Sequence, residues 1–518
     1  LDTGSGISTV FRTGKPVNGL TGQPDLRRDT MEFGQVKNYI DGEWVASKSS
    51  DIMTNVNPAT GEALSEVAMS TEEEVNTAVQ AAREAFKEWR QVPPVARARY
   101  LFDLKELLEE NFEELSIVQT KEHGKTIDES RGETRRGIEN VEVAAGIPSL
   151  MMGESLQDIA AGIDTRVVRE PLGVFACIAP YNFPFMIPLW FLPYAIATGN
   201  TFVVKASEYV PNSQTKLFEI MDEIDLPPGV VNLVHGSKTV ANALIDHPDV
   251  RGITFVGSTP VAKHIYKRCG EAGKRAIAQG GAKNYLAVMP DADLKQTVAA
   301  FMTSFFGNAG QRCLAGANAL VVGKDDDFYR RFVDEFVKAA SGVSLGDGLD
   351  DTTQMGPLQA EFRKNNVLTY IDKGLAEGAD LILDGRHPRL TGGLPDTCFL
   401  APSIFENVKP EMTIAREEIF GPVASILRAD DLDQTIEMIN SLPYGNASSI
   451  FTASGKTARD LGYRVQTGNV GNNIGVAAPM AFFPFSGMKT SFFGVLHGQG
   501  KDAVRFFNET KVIIERCF

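Results

Sequence analysis

Five short apolar runs constrain the fold of this chain more strongly than any other feature. They are Val174–Ala179, Phe202–Val204, Val230–Val234, Ile253–Val256 and Leu286–Met289. None of them alternates apolar with polar residues, and segments of helical length separate them. That pattern is typical of parallel strands buried on both faces of a sheet. A second series from about Asp293 to Ile474 predicts another such sheet, and these sheets bind ligands at the carboxyl ends of their strands.

The start of the chain indicates β-structure, then a long helical region. Asn38–Val45 predicts a hairpin with an Asp-Gly turn, and Thr71 with Glu74 predicts a capping box ahead of a helix. Residues 1–30 are rich in Gly, Ser, Thr and Arg, so we expect a flexible extension. Met31 as the original start and a presequence remnant both remain open. The pattern as a whole predicts two α/β domains with β-rich tails.

The charge balance and the cysteines narrow the function classes. With 51 basic and 66 acidic side chains the net charge is −15, which argues against nucleic acid and anionic membranes as partners. The five cysteines form no CxxC pair, so we predict no disulfide framework, no metal site and a reducing compartment. An uncharged stretch over 172–204 is long enough to span a membrane. Its prolines favour a buried strand, loop and helix instead.

Two features stand in for a dinucleotide fingerprint, since no G-x-G-x-x-G occurs. Lys205 and Glu208 follow a predicted strand end, where the carboxylate can accept from ribose hydroxyls and the lysine can donate to them. Gly257 and Ser258 lead from a strand to a helix start, whose free amides and dipole suit a phosphate. The alternatives are solvated loop charges for the first pair and an ordinary helix cap for the second.

Cys313 and Asn182 are the candidate catalytic residues. Cys313 lies in a predicted turn beside Arg312, whose guanidinium favours the nucleophilic thiolate. The alternative is that this cysteine is a small buried hydrophobic residue. Asn182 lies in a proline-framed apolar loop after a strand, where its amide can donate to a developing oxyanion. The alternative there is a turn asparagine bonded to its own backbone.

Seven motifs occur in the order and approximate spacing of the aldehyde dehydrogenase superfamily, which the chain resembles from about Val36 to Val512. They are PYNFP, VKASE, FVGSTP, GGAKN, GQRC, EEIFGP and PFSGMKTSFFG. The resemblance implies that Cys313 attacks an aldehyde carbonyl to give a thiohemiacetal. It implies that Asn182, with the Cys313 amide, holds the oxyanion. Hydride then leaves for the nicotinamide of NAD, and a thioester remains.

The same resemblance implies the cofactor contacts. Lys205 and Glu208 resemble the residues that hold the adenosine ribose, and a glutamate there favours NAD over NADP because it repels a 2′-phosphate. Ser258 resembles the pyrophosphate contact. The other cofactor-binding residues that the resemblance implies are Pro180, Gly257, Glu418 and Phe420, the last two at the nicotinamide ribose and ring.

One departure from the family pattern bears on the acyl acceptor. Hydrolytic members carry a glutamate that activates water, and aligning Lys283 and Asn284 puts Gln279 at that position. A primary amide cannot accept a proton near neutral pH. We therefore predict that coenzyme A, as co-substrate, takes the acyl group, because its thiolate attacks thioesters readily. The alternative is a relocated base, such as Glu271 or a carboxylate near the mouth of the site, in a hydrolytic enzyme that makes a free carboxylic acid.

The missing base, GAKN and GQRC together resemble the CoA-acylating methylmalonate-semialdehyde dehydrogenase subfamily. Arg136 and Arg312 match its residues for the substrate carboxylate, a role that suits a guanidinium, and Arg135 remains an alternative to Arg136. The implied reaction converts malonate or methylmalonate semialdehyde, with decarboxylation, to acetyl-CoA or propionyl-CoA. Val495 stands where the subfamily usually has Asp, and Ile474–Phe485 contains several aromatic residues. A bulkier aldehyde therefore remains an alternative substrate. An inactive structural or binding homologue is the alternative of another class.

The resemblance also implies an architecture and an assembly. We expect an α/β fold with two doubly wound α/β domains, for cofactor and catalysis, plus a β-strand oligomerisation arm. The predicted boundaries are 1–35 for the flexible extension, 36–153 and 173–283 for the NAD-binding domain, 284–485 for the catalytic domain, and 154–172 and 486–518 for the arm. The arm would pair across subunits in a homodimer or homotetramer. The predicted location is the cytoplasm, or the mitochondrial matrix in a eukaryote.

Overall fold

Four of the five apolar runs form adjacent parallel strands, as predicted. The computed structural model describes residues 33–390 and 392–516, so the extension predicted over 1–35 lies outside the described residues except for 33–35. The order of strands in the eight-stranded sheet is Phe492–Phe493, Arg275–Gln279, Val250–Val256, Val174–Ile178, Thr201–Lys205, Val231–Val234, Asn38–Ile40 and Glu43–Val45. The five central strands of this sheet, from Arg275–Gln279 to Val231–Val234, are mutually parallel.

The fifth run belongs to a second, seven-stranded sheet. Its strand order is Asp380–Leu383, Ser403–Glu406, Val423–Ala429, Gly316–Val322, Asn284–Val288, Ala447–Phe451 and Asn469–Asn472. All neighbouring strands are parallel except the first pair. Both sheets are buried on two faces, which is why their strands lack alternation. The predicted α/β fold with two parallel sheets is confirmed.

Helices pack against both sheets. In the first half of the chain they are Glu72–Trp89, Pro94–Glu110, Phe112–His123, Ile127–Ala145, Ile147–Leu150, Met186–Leu189, Leu192–Ala197, Asn212–Asp222, Lys238–Asp246 and Thr259–Glu271. In the second half they are Leu294–Phe306, Asp326–Ser341, Glu361–Ala376, Thr413–Arg416, Leu432–Ser441, Gly455–Arg464 and Gly500–Phe506. None of the helices in the described ranges is both long and apolar enough to cross a membrane.

Both local predictions near the start of the described chain are confirmed. Asp41 and Gly42 have φ values of 56° and 81°, which the tight hairpin turn requires at both central positions. The Thr71 hydroxyl accepts from the Glu74 amide, and the Glu74 carboxylate accepts from the Thr71 amide. Two of the free amides at the helix start are thereby satisfied.

Three smaller groups of strands complete the fold. The arm sheet contains Asn508–Arg516, Ile163–Pro171 and Ser155–Ala160, all antiparallel. The other two groups are Gln35–Val36 with Ala63–Ala68 and Ile52–Val56, and Tyr444–Gly445 with Met488–Lys489. Strands from the two segments assigned to the arm, 154–172 and 486–518, therefore pair with each other. Phe492–Phe493, within the segment assigned to the arm, extends the eight-stranded sheet instead.

Candidate active site

The candidate nucleophile follows a turn with an unusual backbone. The helix Leu294–Phe306 ends in the short 3₁₀ turn Gly307–Gly310. Asn308, Ala309 and Gly310 have φ values of 54°, 50° and 73°. Left-handed backbone costs a non-glycine residue roughly 1–2 kcal/mol, and such strain is concentrated at functional sites. This turn brings Cys313 to the point where the chain enters the strand Gly316–Val322.

Cys313 lies between two cavities and lines both of them. The larger cavity has a volume of about 390 Å³ and also contains Arg136 and Arg312. The smaller one has a volume of about 20 Å³ and contains Glu418 and Phe420. Arg136 therefore lines only the larger cavity, Glu418 and Phe420 line only the smaller one, and Arg312 lines both, as Cys313 does.

Hydrogen bonds hold both the side chain and the backbone of Asn182. Its buried side-chain amide donates to the Gln311 carbonyl oxygen at 2.9 Å, and its own backbone oxygen accepts from Lys125 Nζ at 2.7 Å. An amide nitrogen carries two hydrogens, so one is not used by this hydrogen bond. Its neighbour Phe183, and not Asn182 itself, lines the larger cavity.

The Cys313 thiol is protonated at neutral pH. Burial raises the pKa of the thiol to about 12, and the Glu418 carboxylate raises it further. The backbone amides of Cys313 and Leu314 lower that pKa, and so does Arg312, more weakly. Arg312 therefore acts in the predicted direction, but burial outweighs it. Its guanidinium is also partly neutralised by Glu129, with Nη2 and Oε1 2.8 Å apart.

The two candidate carboxylate-binding arginines differ in their partners. Arg136 donates from Nη1 to the Pro479 carbonyl oxygen at 3.1 Å and forms no ion pair with a described residue. Arg135, the alternative, points elsewhere, because both its terminal nitrogens bind Glu109 at 2.6 and 2.7 Å. The larger cavity therefore holds one unpaired guanidinium, from Arg136, and one that a carboxylate already pairs.

Five of the seven predicted cofactor residues end or follow strands at the carboxyl-end edge of the eight-stranded sheet: Pro180, Lys205, Glu208, Gly257 and Ser258. The strand Val174–Ile178 has Val250–Val256 on one side and Thr201–Lys205 on the other. Pro180, Gly257 and Lys205 therefore lie at the carboxyl ends of three adjacent strands. The strand order reverses between Val174–Ile178 and Val250–Val256. Such a switch point is where doubly wound sheets bind nucleotides.

The groups at this edge fit a dinucleotide. Lys205 Nζ lies 2.8 Å from Glu208 Oε2. The exposed Ser258 hydroxyl forms no cap hydrogen bond at the start of the helix Thr259–Glu271, so that hydroxyl and the first amides are free for a phosphate. A Cβ on Gly257 would lie 2.4 Å from the Phe255 ring, so a larger residue does not fit there.

Glu418 lines the smaller cavity with Cys313 and also binds the segment that follows the strand Arg275–Gln279 of the eight-stranded sheet. Its Oε1 accepts from the Ala282 amide at 2.8 Å. Burial raises the pKa of Glu418 to about 7, opposed by that amide and by Lys283. The Lys283 ammonium is buried without a hydrogen-bond partner among the described residues, and burial lowers its pKa to about 7. The Phe420 ring packs edge-on against Tyr181, with centroids 6.1 Å apart.

Gln279 stands at the position of the family's water-activating glutamate, and Glu271 is the candidate for a relocated base. Neither residue lines a cavity together with the Cys313 thiol. Gln279 is fully buried, donates to the Phe485 carbonyl oxygen at 3.4 Å and lines neither of the two cavities. Glu271 lies on the surface, with Oε1 3.9 Å from Lys267 Nζ, and also lines neither. The geometry therefore gives no support to Glu271 as a general base.

Several residues of the site were missed from the sequence, although Phe485 belongs to the segment Ile474–Phe485, whose aromatic residues were already linked to the aldehyde substrate. The larger cavity has an apolar wall that includes Phe183, Met186, Leu314, Trp190 and Phe485. Trp190 and Phe485 stack with ring centroids 4.5 Å apart, although they are far apart in the chain. No local pattern marks such residues, because they meet only through the tertiary fold.

Comparison with known proteins agrees with this geometry. Residues 44–513 match the aldehyde dehydrogenase family. Malonate-semialdehyde dehydrogenase 1 of Geobacillus kaustophilus is 48% identical over 93% of this chain and 97% of its own, and malonate-semialdehyde dehydrogenase 1 of Oceanobacillus iheyensis is 45% identical over 94% and 100%. The crystal structure of a putative methylmalonate-semialdehyde dehydrogenase from Sinorhizobium meliloti, complexed with NAD, superposes with a TM-score of 0.91 at 38% identity, covering 94% of this chain and 99% of that one. The chain belongs to the aldehyde dehydrogenase family.

The raised pKa of Cys313 makes a testable prediction for the protein without ligands. Alkylation by iodoacetamide should speed up about tenfold per pH unit between about pH 7 and pH 10, because only the thiolate reacts. Glu418→Gln should raise the alkylation rate at a given pH, since a carboxylate that raises the thiol pKa is removed. The measurement is mass spectrometry of the Cys313 peptide against time. An alkylation rate that stops rising near pH 8 in the protein without substitutions would contradict the raised pKa of Cys313.

Proposed function

We propose that this protein is an NAD-dependent, CoA-acylating semialdehyde dehydrogenase. Its substrates are malonate and methylmalonate semialdehyde, and its products are acetyl-CoA and propionyl-CoA. The observation that carries the proposal is the unpaired guanidinium of Arg136 in the same cavity as the Cys313 thiol. A short substrate with an aldehyde at one end and a carboxylate at the other matches that pair. The names of the most similar relatives support the same substrates.

The first half of the reaction takes place at Cys313. The thiol gives its proton to solvent water, and the sulfur attacks the aldehyde carbon to form a thiohemiacetal. The second hydrogen of the Asn182 amide and the Cys313 amide stabilise the oxygen anion that forms. NAD, when bound, supplies the hydride acceptor, and Lys205, Glu208, Ser258 and Glu418 are the residues proposed to hold it. Loss of hydride from the former aldehyde carbon leaves a thioester on Cys313.

The second half removes carbon dioxide and releases the acyl group. The thioester carries a carboxylate on the neighbouring carbon, so the electrons of the breaking carbon–carbon bond enter the thioester as an enolate. Asn182 stabilises that enolate oxygen as it did the first anion, and a proton then adds to carbon. The CoA thiolate attacks the thioester, and Cys313 leaves as the thiolate. Water is a poor substitute, because Gln279 cannot take its proton.

The acyl acceptor is tested by the dependence of turnover on CoA. With NAD and malonate semialdehyde, NADH formation should stop after about one equivalent per active site and continue when CoA is added. The measurement is NADH absorbance in a stopped-flow instrument, with acetyl-CoA quantified by chromatography. Steady turnover without CoA would show that the enzyme is hydrolytic. Absence of NADH with any aldehyde would indicate an inactive homologue.

The carboxylate role of Arg136 makes a second prediction. Arg136→Leu should raise the KM for malonate semialdehyde about 10–100-fold, which corresponds to ~1.5–3 kcal/mol for a hydrogen bond to a charged group, and should change the KM for propanal little. Arg135→Leu is the matched control, because that guanidinium binds Glu109 on the outside. Equal losses for both substrates, or equal effects of the two variants, would remove the role.

The choice of NAD over NADP makes a third prediction. Glu208→Ala should increase the ratio of NADP turnover to NAD turnover at least about tenfold, because like charges placed together cost several kcal/mol. The ratio of kcat/KM values for the two dinucleotides measures this directly. Asp222→Ala serves as a control, since that carboxylate accepts from the Tyr39 hydroxyl and has no part in the site. An unchanged ratio in Glu208→Ala would contradict the assignment.

We also propose that the arm pairs with a second copy of the chain to form dimers or tetramers. Every residue of its outer strand Ser155–Ala160 is exposed, as are Val512 and Ile514. An exposed edge strand with apolar neighbours is a ready template for another chain. Cys177, Cys269, Cys313 and Cys398 are all unpaired thiols, which supports a reducing location such as the cytoplasm.

A further inference from the structure

A buried ion pair holds the loop that carries Asn182. Lys125 Nζ and Glu133 Oε2 lie 2.5 Å apart, and neither side chain has any exposed surface. Lys125 also donates to the Asn182 backbone oxygen at 2.7 Å, and Glu133 Oε1 accepts from the amides of Phe185 and Met186 at 2.9 and 3.1 Å. Lys125 therefore binds the backbone at the beginning of the short loop 182–186, and Glu133 binds the backbone at its end.

The remaining contacts of Lys125 leave it little freedom. Its ammonium lies 4.5 Å from the centre of the Phe183 ring, a favourable cation–π distance. Its backbone belongs to the turn between the helices Phe112–His123 and Ile127–Ala145. A Cβ on Gly348 would lie 2.1 Å from the Lys125 carbonyl oxygen, so the 348 segment packs directly against that turn.

A stabilising role alone does not explain this arrangement. Replacing a buried ion pair by apolar residues of similar volume is often neutral or favourable for stability. Such a pair adds directional hydrogen bonds that apolar residues cannot supply. Here those bonds fall on the backbone of Asn182, Phe185 and Met186, and on nothing else among the described residues.

We propose that Lys125 and Glu133 are positioning residues for the oxyanion donor Asn182. Lys125 fixes the Asn182 backbone, and the Asn182 side chain is then held at 2.9 Å from the Gln311 oxygen, two residues before the nucleophile. With that contact made, the second amide hydrogen remains available for the oxyanion of the proposed reaction. This inference rests on the proposed role of Asn182.

A double-mutant cycle tests the inference. Asn182→Ala should slow the burst of NADH about 10²–10³-fold, and Lys125→Met should slow it on the order of 10²-fold, because a small misplacement of a catalytic group is costly. In the Asn182→Ala background, Lys125→Met should add less than about a threefold effect. Iodoacetamide alkylation of Cys313 forms no oxyanion, so its rate should be the same in Lys125→Met and in the unmodified sequence.

Two further variants separate positioning from folding. Lys125→Met leaves Glu133 buried without its cation, so Lys125→Met with Glu133→Gln is measured as well and should show the same slow burst. Arg97→Met is the matched control, because Arg97 is a buried cation that donates to the Ala197 carbonyl oxygen at 2.7 Å, away from the site. Its burst rate should stay within about threefold even if its Tm falls.

The outcomes are distinct. If Asn182→Ala leaves the burst unchanged, the oxyanion assignment itself is wrong. If Asn182→Ala is slow while Lys125→Met and the paired variant react at the unmodified rate, the positioning role is wrong. Additive losses in the cycle, or alkylation that slows together with the burst, would also overturn it.

Discussion

One hydrogen bond, from the Asn182 amide to the Gln311 oxygen, joins the two halves of the site. Asn182 follows a strand of the eight-stranded sheet, and Gln311 precedes the candidate nucleophile in the turn that enters the seven-stranded sheet. This is the shortest hydrogen bond between the two segments, and longer ones from Tyr181 to Gln311 and from Asn308 to Asn182 accompany it at 3.4 and 3.5 Å. The strained turn at 308–310 directly precedes Gln311 at one end of the shortest hydrogen bond, and Lys125 of the Lys125–Glu133 pair binds the backbone of Asn182 at the other end.

The electrostatics of the site follow from burial more than from individual charges. Burial raises the pKa of Cys313 and of Glu418, and it lowers the pKa of Lys283 and of Lys125. The groups around the thiol are therefore shifted towards their neutral forms before a substrate arrives. A protonated thiol reacts slowly with electrophiles, so deprotonation of Cys313 is a step of the proposed reaction.

Much of the fold was predictable from the sequence, because the apolar runs, the Asp-Gly turn and the Thr71 capping box are local signals of known physical origin. The candidate site was predictable to the extent that its residues follow strand ends or resemble family motifs, as Lys205, Ser258 and Cys313 do. Lys125 and Glu133 were not predictable as a pair. Charged residues in helical segments are usually solvated, and only the tertiary fold shows that these two are buried against the Asn182 loop. The pairing of Arg312 with Glu129 and the outward direction of Arg135 also needed coordinates.

Cys313 is proposed to carry an acyl group that waits for CoA, because the Gln279 amide cannot take a proton from water as a carboxylate base would. Mass spectrometry of protein mixed with NAD and malonate semialdehyde, then quenched in acid, tests it most directly. The Cys313 peptide should carry an acetyl thioester that persists without CoA and disappears when CoA is added before the quench. Unmodified Cys313 together with accumulating acetate in the absence of CoA would contradict it.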